Sequence, residues 1–377
     1  MSPNISTKGL KNLTIMIDKH KIGIVGLGKL GQSLYDVISD TTDMEVVYYD
    51  IISQDQKYKY EPIESIKETC TLIFICVSTP ENPLYDGSDL FYLHDLKEFD
   101  YDYTAVHDTL IDLDGCRGAI IISSTISPKG IDDIILNTGN LRIIYNPFMF
   151  EGGNEYNSIL NQKNIIIGSN RDPQILIDFY RNISPDAAIH TLSFTESALL
   201  KMIHNSYVSL RISFVNAVQR LTYEVGGEAQ NILNALKEFP IFNTPRFLNI
   251  GLPSGGPCIP RDSLVLSRIT KEGLFDDIVS ERMIHIDWLS DNIIDLMTIY
   301  GKTTISLFGL SYKKGVKSLK GSSAVLLKKS LENKDIKCYV DRETVNSFNV
   351  LLNEDSTLLE NKSLYYDIWR DRVIVKE

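Results

Sequence analysis

The chain has 377 residues, enough for two or three domains, and its 43% hydrophobic and 23% charged residues are typical of a globular protein. The formal net charge of −11 argues against nucleic acid as a partner, because a phosphate backbone is bound by a basic surface. Five irregularly spaced cysteines predict no disulfide framework, and the histidines lack metal-site spacing, so no metal is expected. The sequence shows no membrane-length apolar run and no signal peptide, which predicts a cytoplasmic protein without a membrane partner.

A glycine-rich turn near the N-terminus carries the first functional signal. Residues 1–20 are predicted to be a variable extension, and the apolar residues 21–25 predict a strand. This strand runs into Gly26–Gly31, which has the spacing G-x-G-x-x-G, then into a helix and a second strand at 44–49. Asp50 ends the second strand, 19 residues after the last glycine. The order of strand, glycines, helix, strand and acid predicts a dinucleotide-binding unit.

Each position in this unit has a physical role. Gly26 makes the tight turn, Gly28 lets the backbone approach a pyrophosphate, and Gly31 allows close packing of helix on strand. The helix N-terminus attracts phosphates. Asp50 is expected to accept hydrogen bonds from the adenosine ribose, which favours NAD over NADP. The residues predicted to bind the cofactor here are Gly26, Gly28, Lys29, Leu30, Gly31 and Asp50.

Further apolar strands are predicted at 72–77, 119–122, 142–144 and 164–167, with helical stretches between them. Continuous apolar strands of this kind indicate a parallel sheet covered on both faces. Several polar residues follow the strands, at the carboxyl edge where open α/β sheets bind ligands. These edge residues are Ser78, Thr79, Pro80, Thr125, Tyr145 and Asn146.

A long helix is predicted from Glu196 to about Glu224, beginning with a capping box between Ser193 and Glu196. It is interpreted as a spine that joins two domains and provides a dimer contact. Lys201 and Asn205 lie four residues apart and therefore share one face of the helix. The alternative is a solvated lysine beside an incidental asparagine.

The segment Pro253–Asp262 holds two glycines, three prolines, a cysteine and an acid. Gly255 and Gly256 allow close approach of the backbone to a ligand. The prolines favour a stiff loop over a helix. Cys258 would then stand on a rigid mount, with Asp262 near enough to position a proton or a water. A surface turn with a small buried cysteine is the alternative from this segment alone.

The C-terminal part repeats the α/β pattern. Helical patterning from Ser263 to about Tyr300 is followed by a strand at 304–308, a helix from Ser322 to Glu332 and a strand at 336–340. The sequence therefore predicts two Rossmann-like α/β domains joined by a long central helix and a helical middle region. The predicted domains are residues 1–192, which bind NAD, 193–301, which are helical and make the dimer contact, and 302–377, which form a short second α/β domain.

Together these motifs resemble the nucleotide-sugar 6-dehydrogenases, the family of UDP-glucose, UDP-N-acetylmannosamine and GDP-mannose dehydrogenases. The resemblance runs in order from about residue 21 to 341, and the Gly255–Asp262 motif is its most specific part. It implies oxidation of a sugar's primary alcohol to a carboxylate by two NAD+ in turn, through a cysteine thiohemiacetal and thioester. The roles implied are nucleophile for Cys258, oxyanion stabiliser for Lys201, positioning for Asn205 and Thr125, and proton transfer for Asp262.

The same resemblance implies the remaining ligand contacts. A homodimer is the implied assembly. The implied NAD contacts beyond the glycine-rich unit are Ser78, Thr79, Pro80 and Thr125. The implied nucleotide-sugar contacts are Tyr145, Asn146, Lys201, Asn205, Arg246, Gly255, Gly256, Tyr312 and Lys313.

The sequence departs from the family pattern after the Asn-Pro pair. Phe148 and Gly152 stand where the pattern has two glutamates, and Glu151 is one residue out of register. Arg246 matches only loosely the arginine that would reach across a dimer. Without the second glutamate, thioester hydrolysis is predicted to be slow. Three further positions carry Lys317, Ser318 and Lys320 where the pattern has two aspartates and an arginine.

Two alternatives compete with an active nucleotide-sugar dehydrogenase. A two-electron dehydrogenase resembling the 6-phosphogluconate and hydroxyacid dehydrogenases would also use a lysine and an asparagine on a helix, but Cys258 argues against it. A degenerate sugar-nucleotide-binding protein without turnover is favoured by the missing glutamates and opposed by the retained Lys201, Asn205, Cys258 and Asp262.

Overall fold

The computed structural model describes residues 20–52, 55–80, 87–90, 99–139, 141–150, 152–242, 247–269, 273–352 and 364–375. These residues form two compact units. The first lies within Met1–Pro80 and Asp100–Lys201, and the second within Glu81–Phe99 and Met202–Glu377. The division into three domains stays a prediction.

The first unit is built on a sheet of seven described strands in the order β2-β1-β3-β4-β5-β6-β7. Its strands are β1 (Lys21–Val25), β2 (Glu45–Tyr49), β3 (Leu72–Ile75), β4 (Ala119–Ile122), β5 (Ile143–Tyr145), β6 (Asn164–Gly168) and β7 (Ala188–Leu192). Its helices are α1 (Lys29–Thr41), α2 (Ile63–Thr69), α3 (Thr104–Asp112), α4 (Pro128–Leu136), α5 (Glu155–Leu160) and α6 (Gln174–Ile183).

The apolar strands of this sheet are buried on both faces, as their sequences predict. In β4, Ile121 packs into one hydrophobic cluster, whereas Ile120 and Ile122 pack into the cluster on the opposite face. Successive side chains of a strand point to opposite faces, so a strand covered on both sides is apolar throughout. Helices therefore cover the two faces and leave the strand ends open to loops.

The sheet is not parallel throughout, which corrects the expectation for residues 164–167. Strands β1 to β5 are parallel, but β6 pairs antiparallel with β5 at Tyr145 and Gly168, and β7 is parallel to β6. The helix in the link, α5, has 6 residues and packs beside α1. It spans about 9 Å, about half the length of a five-residue strand of about 17 Å, so it does not run the length of the sheet as a crossover helix would.

Helix α7 (Phe194–Val225) begins in the first unit and continues into the second. The predicted capping box is confirmed, since Glu196 N donates to Ser193 Oγ at 3.2 Å and Ser193 N donates to Glu196 Oε2 at 2.9 Å. The hydrogen bonds from Ser193 hold the pKa of Glu196 below its ordinary value. Gly226 ends the helix with φ of 79°, a conformation in which glycine is favoured.

The second unit contains a sheet of five described strands in the order β12-β11-β10-β8-β9. All its neighbouring strands are parallel except β11 and β12. Its helices after α7 are α8 (Ala229–Lys237), α9 (Ile259–Ile269), α10 (Gly273–Ile299) and α11 (Ser323–Asn333), with a 3-10 turn at Pro240–Phe242. Its strands are β8 (Thr304–Phe308), β9 (Cys338–Val340), β10 (Ser347–Leu351), β11 (Leu364–Asp367) and β12 (Arg372–Val375).

The helical stretch predicted from Ser263 to Tyr300 proves to be two helices, and the first begins earlier than expected. Helix α9 starts at Ile259, directly after Cys258, so the prediction of a loop through Pro260 is wrong. Proline is tolerated in the first turn of a helix because its missing N–H would have no intrahelical acceptor there. Cys258 therefore stands at the N-terminus of a helix.

Candidate active site

The glycine-rich turn after β1 has the geometry that a bound dinucleotide phosphate needs. Gly26 has φ of 97°, and a Cβ there would lie 2.8 Å from the backbone of Cys76. A Cβ on Gly31 would lie 2.0 Å from the carbonyl oxygen of Gly26, so α1 can approach the turn only because Gly31 has no side chain. A Cβ on Gly28 would meet no atom within 4 Å. The backbone at Gly28 thus presents an open surface beside the N-terminus of α1, and these residues fit a dinucleotide.

Asp50 is held at the carboxyl end of β2 by two backbone donors. Leu27 N donates to Asp50 Oδ2 at 2.7 Å, and Ile52 N donates to Asp50 Oδ1 at 2.8 Å. The first of these bonds ties the acid directly to the glycine-rich turn. The carboxylate is half-buried and fixed beside the predicted ribose position.

The ends of β3 and β4 are tied together by hydroxyl groups. Thr79 Oγ1 donates to the carbonyl oxygen of Thr125 at 2.8 Å, and Ser124 Oγ donates to that of Val77 at 2.6 Å. Thr79 is buried and Thr125 half-buried, whereas Ser78 is exposed. These bonds hold the two loops side by side at the carboxyl edge of the sheet.

Lys201 is buried on α7 and makes a hydrogen bond that the sequence did not suggest. Its Nζ donates to the carbonyl oxygen of Phe148 at 2.6 Å and lies 5.8 Å from the ring centroid of Phe150. Only 8% of Lys201 is exposed. The segment after β5 therefore orients this cation through its backbone, at a position where the family pattern would place a glutamate.

Tyr145 and Asn146 are more buried than a substrate contact would suggest. Tyr145 is completely buried, and its hydroxyl accepts a hydrogen bond from Ile126 N at 3.3 Å. The amide of Asn146 donates to the carbonyl oxygen of Ile166 at 2.8 Å and accepts a hydrogen bond from the Tyr180 hydroxyl. Both side chains thus brace the end of β5, and their direct contact with a substrate stays a prediction.

The second unit brings Asn205, Cys258 and Asp262 together at the start of α9. Asn205 Nδ2 donates to Asp262 Oδ2 at 2.6 Å, and Arg261 Nε lies 3.6 Å from Asp262 Oδ1. Asp262 is completely buried, and its N–H donates to the carbonyl oxygen of Cys258 at 2.9 Å, which closes the first turn of the helix. Helix α7 thus orients the Asp262 carboxylate through Asn205, one helical turn beyond Lys201.

The glycines before Cys258 pack against the loop that follows β8. Gly256 has φ of 89°, and a Cβ there would lie 3.0 Å from the ring of Tyr312. Gly256 N donates to the carbonyl oxygen of Gly321 at 3.0 Å. Gly255 lies beside the same loop, and Lys313 is half-buried within it. Two residues named from the sequence, Glu151 and Arg246, lie outside the described residues.

A buried histidine on α10 binds the backbone at Gly251, two residues before Pro253. His285 shares a hydrogen bond of 2.8 Å through Nε2 with the carbonyl oxygen of Gly251, and its Nδ1 lies 3.1 Å from Arg220 Nη1. Burial lowers the pKa of His285 to about 3, and the positive charge of Arg220 acts in the same direction. His285 is therefore neutral at physiological pH and serves as a fixed hydrogen-bonding group.

The described residues contain no group of three or more histidine, cysteine or acidic side chains arranged to hold a metal ion. Among the described helices, none is both long and apolar enough to span a membrane.

Comparison with known proteins finds similarity to one family. Residues 195–286 match the model of the UDP-glucose/GDP-mannose dehydrogenase family, central domain, and they include Lys201, Asn205, Cys258 and Asp262. A UDP-glucose 6-dehydrogenase of Rickettsia bellii is 28% identical over 314 residues, covering 79% of this chain and 69% of that protein. One of Rickettsia conorii is 25% identical over 364 residues, covering 93% and 78%. The chain thus contains a match to the central domain of this family and is similar to UDP-glucose 6-dehydrogenases over most of its length.

Solved structures of nucleotide-sugar dehydrogenases share the fold. A UDP-glucose dehydrogenase from Pyrobaculum islandicum superposes with a TM-score of 0.75 at 17% identity, covering 99% of this chain and 96% of that one. The UDP-N-acetyl-mannosamine dehydrogenase Cap5O from Staphylococcus aureus gives 0.68 at 17% identity, covering 95% and 96%. The predicted α/β fold class is therefore confirmed.

Proposed function

We propose that the protein is an NAD-dependent nucleotide-sugar 6-dehydrogenase that oxidises a sugar's primary alcohol to a carboxylate through Cys258. The observation that carries the proposal is the arrangement at the start of α9. There Cys258 occupies the helix N-terminus, and Asn205 binds the buried Asp262 carboxylate at 2.6 Å. A helix N-terminus favours an anion, so this position favours the thiolate, which is the nucleophilic form of cysteine.

The proposed cofactor is NAD. Gly26, Gly28 and Gly31 would receive its pyrophosphate, and Asp50 would accept hydrogen bonds from the adenosine ribose. The exposed Ser78 and Pro80, with Thr79 and Thr125, would border the other end of the dinucleotide. Lys29 and Leu30 lie in the first turn of α1. Two molecules of NAD+, bound in turn, would supply the hydride acceptors for the two oxidation steps.

In the proposed reaction, loss of a hydride and a proton converts the primary alcohol to an aldehyde. The Cys258 thiolate adds to the aldehyde carbon, which forms a C–S bond and moves the carbonyl electron pair onto oxygen. Loss of a second hydride from the same carbon gives a thioester. Water then adds to the acyl carbon, the C–S bond breaks, and the carboxylate leaves with the thiolate restored.

In the proposed reaction each polar side chain has a separate role. Lys201 would stabilise the oxygen anions that form at the alcohol and hemiacetal stages, since a fixed cation lowers a barrier where negative charge develops. Asn205 and Thr125 would position the substrate or water, and Asp262 would take up or release a proton. Gly255, Gly256, Tyr312 and Lys313 would hold the nucleotide sugar, with Tyr145, Asn146 and Arg246 as further predicted contacts.

Hydrolysis of the thioester is the step that the two missing glutamates should slow. Phe148 is buried and apolar, and Gly152 has no side chain, so neither can act as a base toward water. A positioned general base contributes typically about 10²–10⁴-fold. We therefore propose that the acyl-enzyme on Cys258 accumulates during turnover.

The proposed assembly is a homodimer formed along α7, where apolar side chains are exposed on one face. The substrate partner is a nucleotide sugar. The cytoplasmic location stays a prediction from the sequence.

The test is to incubate the purified protein with NAD+ and UDP-glucose, UDP-N-acetylmannosamine or GDP-mannose, and to follow NADH. NADH formation with one of these sugars, together with a uronic acid product, would support the proposal. Binding of a sugar nucleotide without NADH formation would favour the degenerate binding protein. Formation of an aldehyde or ketone as final product would favour the two-electron dehydrogenase.

A further inference from the structure

The second unit contains an arginine in the interior that the proposed reaction does not use. Arg282 lies on α10 and is 3% exposed. Its Nε donates to the carbonyl oxygen of Ser254 at 2.7 Å, and its Nη2 donates to that of Gly87 at 2.7 Å and that of Gly321 at 3.1 Å. The same nitrogen lies 3.3 Å from the hydroxyl of Ser323. One guanidinium group therefore contacts three segments that are far apart in the sequence.

Burying a cation is costly unless its donors find acceptors. The guanidinium group is planar and carries five N–H donors in a fixed fork, so it can serve several carbonyl oxygens in different directions at once. A lysine ammonium is a compact charge at the end of a flexible chain and cannot reproduce that fork. The geometry around Arg282 thus requires arginine in particular, rather than a positive charge in general.

The segment held most directly is Pro253–Cys258, here called the Cys258 loop. Besides Arg282, the carbonyl oxygen of Ser254 accepts a hydrogen bond from Ser323 Oγ at 2.8 Å. The Ser254 hydroxyl pairs with that of Ser209 on α7 at 2.8 Å. Only three residues separate Ser254 from Cys258, so the anchor fixes the backbone immediately before the thiol.

The segment at Gly321 meets the Cys258 loop at Gly256, and the segment at Gly87 meets the segment at Gly321. A Cβ on Gly321 would lie 2.1 Å from the carbonyl oxygen of Gly256, and a Cβ on Gly87 would lie 3.1 Å from Cα of Gly321. The three backbones therefore touch without intervening side chains. Because no side chains pack between the three backbones, the hydrogen bonds around them set their relative position. Arg282 supplies three of those bonds.

We propose that Arg282 is a positioning residue for Cys258: by clamping Ser254, Gly87 and Gly321, it holds the Cys258 loop in the conformation that presents the thiol for reaction. This inference rests on the proposed role of Cys258 as nucleophile. Arg282 acts only through the backbone it binds. Its loss should therefore loosen the loop and lower the rate of chemistry, while NAD, bound by the first unit, should bind as before.

The experiment compares Arg282→Met and Arg282→Lys with the wild type. The matched control is Arg268→Gln, which removes a cation of the same unit whose Nη2 pairs with Asp276 at 2.6 Å. Amide hydrogen exchange is measured by mass spectrometry on peptides that contain 253–258, 87–90 and 319–323. NADH formation is measured in parallel, and NAD+ affinity is measured by calorimetry.

We expect Arg282→Met to raise exchange in all three peptides and to lower the turnover rate at least tenfold, with NAD+ affinity changed less than twofold. Arg282→Lys should give an intermediate effect on the exchange and on the turnover rate, because it restores the charge without the planar fork of donors. If the methionine variant does not fold, the lysine variant tests the proposal in its place. Arg268→Gln should alter neither the exchange nor the turnover rate. Unchanged exchange in the Arg282 variants would overturn the proposal, as would faster exchange with unchanged turnover.

A second readout separates this proposal from the proposed function. If the wild type oxidises none of the sugars, the proposed function fails, and the clamp is then judged by alkylation of Cys258 with iodoacetamide, followed by peptide mass spectrometry. We expect at least threefold slower alkylation at pH 7 in Arg282→Met, because a loosened loop no longer holds the thiol at the N-terminus of α9. An equal or faster rate would overturn the proposal.

Discussion

In the proposed NAD site, Asp50 would set the cofactor preference. Both of its carboxylate oxygens already accept a backbone N–H, from Leu27 and Ile52. The acid is thereby fixed where it can bind a ribose 2′-hydroxyl and repel a 2′-phosphate. An asparagine would offer a single acceptor oxygen, so one backbone donor or the ribose would lose its partner.

We predict that Asp50→Asn weakens NAD+ binding about 10- to 100-fold, the range expected for loss of a hydrogen bond to a charged group. Discrimination against NADP+ should fall in the same variant, as measured by calorimetry with both dinucleotides. Asp43→Asn, an exposed acid just before β2, should leave both affinities unchanged. Equal or tighter binding of NADP+ by the wild type would contradict the assigned site.

The absence of a carboxylate at Gly152 predicts a particular time course. If hydrolysis is slow, NADH should appear in a burst followed by a slow steady phase, and a sugar-acyl adduct on Cys258 should be visible by intact-protein mass spectrometry. Gly152→Glu should speed the steady phase by about tenfold or more, within the range of a general base. Glu151→Gln is the control and should change it little. A linear progress curve without adduct, lost in Glu151→Gln, would show that Glu151 has taken over the role.

Two glycines of the turn between β1 and α1 have opposite surroundings. Substitutions at these two positions should therefore affect different properties, stability at one and ligand binding at the other. Gly31 is packed against the carbonyl oxygen of Gly26, whereas Gly28 faces open space. We predict that Gly31→Ala lowers the melting temperature by several degrees, since an added methyl group 2.0 Å from a backbone oxygen forces the helix away.

Gly28→Ala should behave in the opposite way. Its melting temperature should stay within about one degree of wild type, since surface changes usually alter stability by less than about 0.5 kcal/mol. Its affinity for NAD+ should fall at least tenfold, because the methyl group would occupy the surface meant for the pyrophosphate. A Gly28→Ala protein that binds NAD+ normally would show that the turn does not hold the dinucleotide.

Elements with a strong local pattern could be predicted from the sequence. The capping box at Ser193 and the glycine at Gly226 mark the two ends of α7 closely. The apolar strands of the first sheet were predicted because burial on both faces leaves little room for polar residues. The direction of β6 could not be predicted, because the link before it is as long as the links between parallel strands, and its sequence does not show that its helix is short.

The site was predictable only where a residue carries its own chemical signal. Cysteine, glycine pairs and an acid at a strand end are visible in the sequence. The Phe148 carbonyl that binds Lys201 is a backbone group and has no sequence signature. Arg282 sits in an ordinary helical pattern, and only its tertiary contacts reveal its role. The strands β10, β11 and β12 were also missed, since polar residues such as Asn349 and Asp367 interrupt their apolar patterns.

At the scale of the whole molecule, one face of α7 suggests how two copies would associate. Ile203, Tyr207, Phe214 and Leu221 recur at spacings of four and seven residues, and each is at least 46% exposed. A continuous apolar stripe with this period is typical of a helix that packs against another helix. The stripe lies on the described part of the second unit, and a second copy of the chain is its proposed occupant.

We predict that Tyr207→Glu combined with Leu221→Glu converts a dimer into a monomer, because it would bury charge in an apolar interface. Light scattering after size-exclusion chromatography would give the mass. Glu224→Gln, an exposed change near the end of the same helix, should leave the dimer intact. A wild-type protein that is monomeric at all concentrations would contradict the proposal.

The account as a whole depends on covalent catalysis by Cys258, and the most direct measurement is the number of NADH molecules formed per sugar oxidised, in the wild type and in Cys258→Ala. A thioester route requires two hydride transfers, so the account predicts two NADH per sugar in the wild type and no acid in Cys258→Ala. Cys338→Ala is the matched control, since burial raises the pKa of that thiol to about 11 and keeps it protonated. One NADH per sugar, or acid formation by Cys258→Ala at the wild-type rate, would contradict the account.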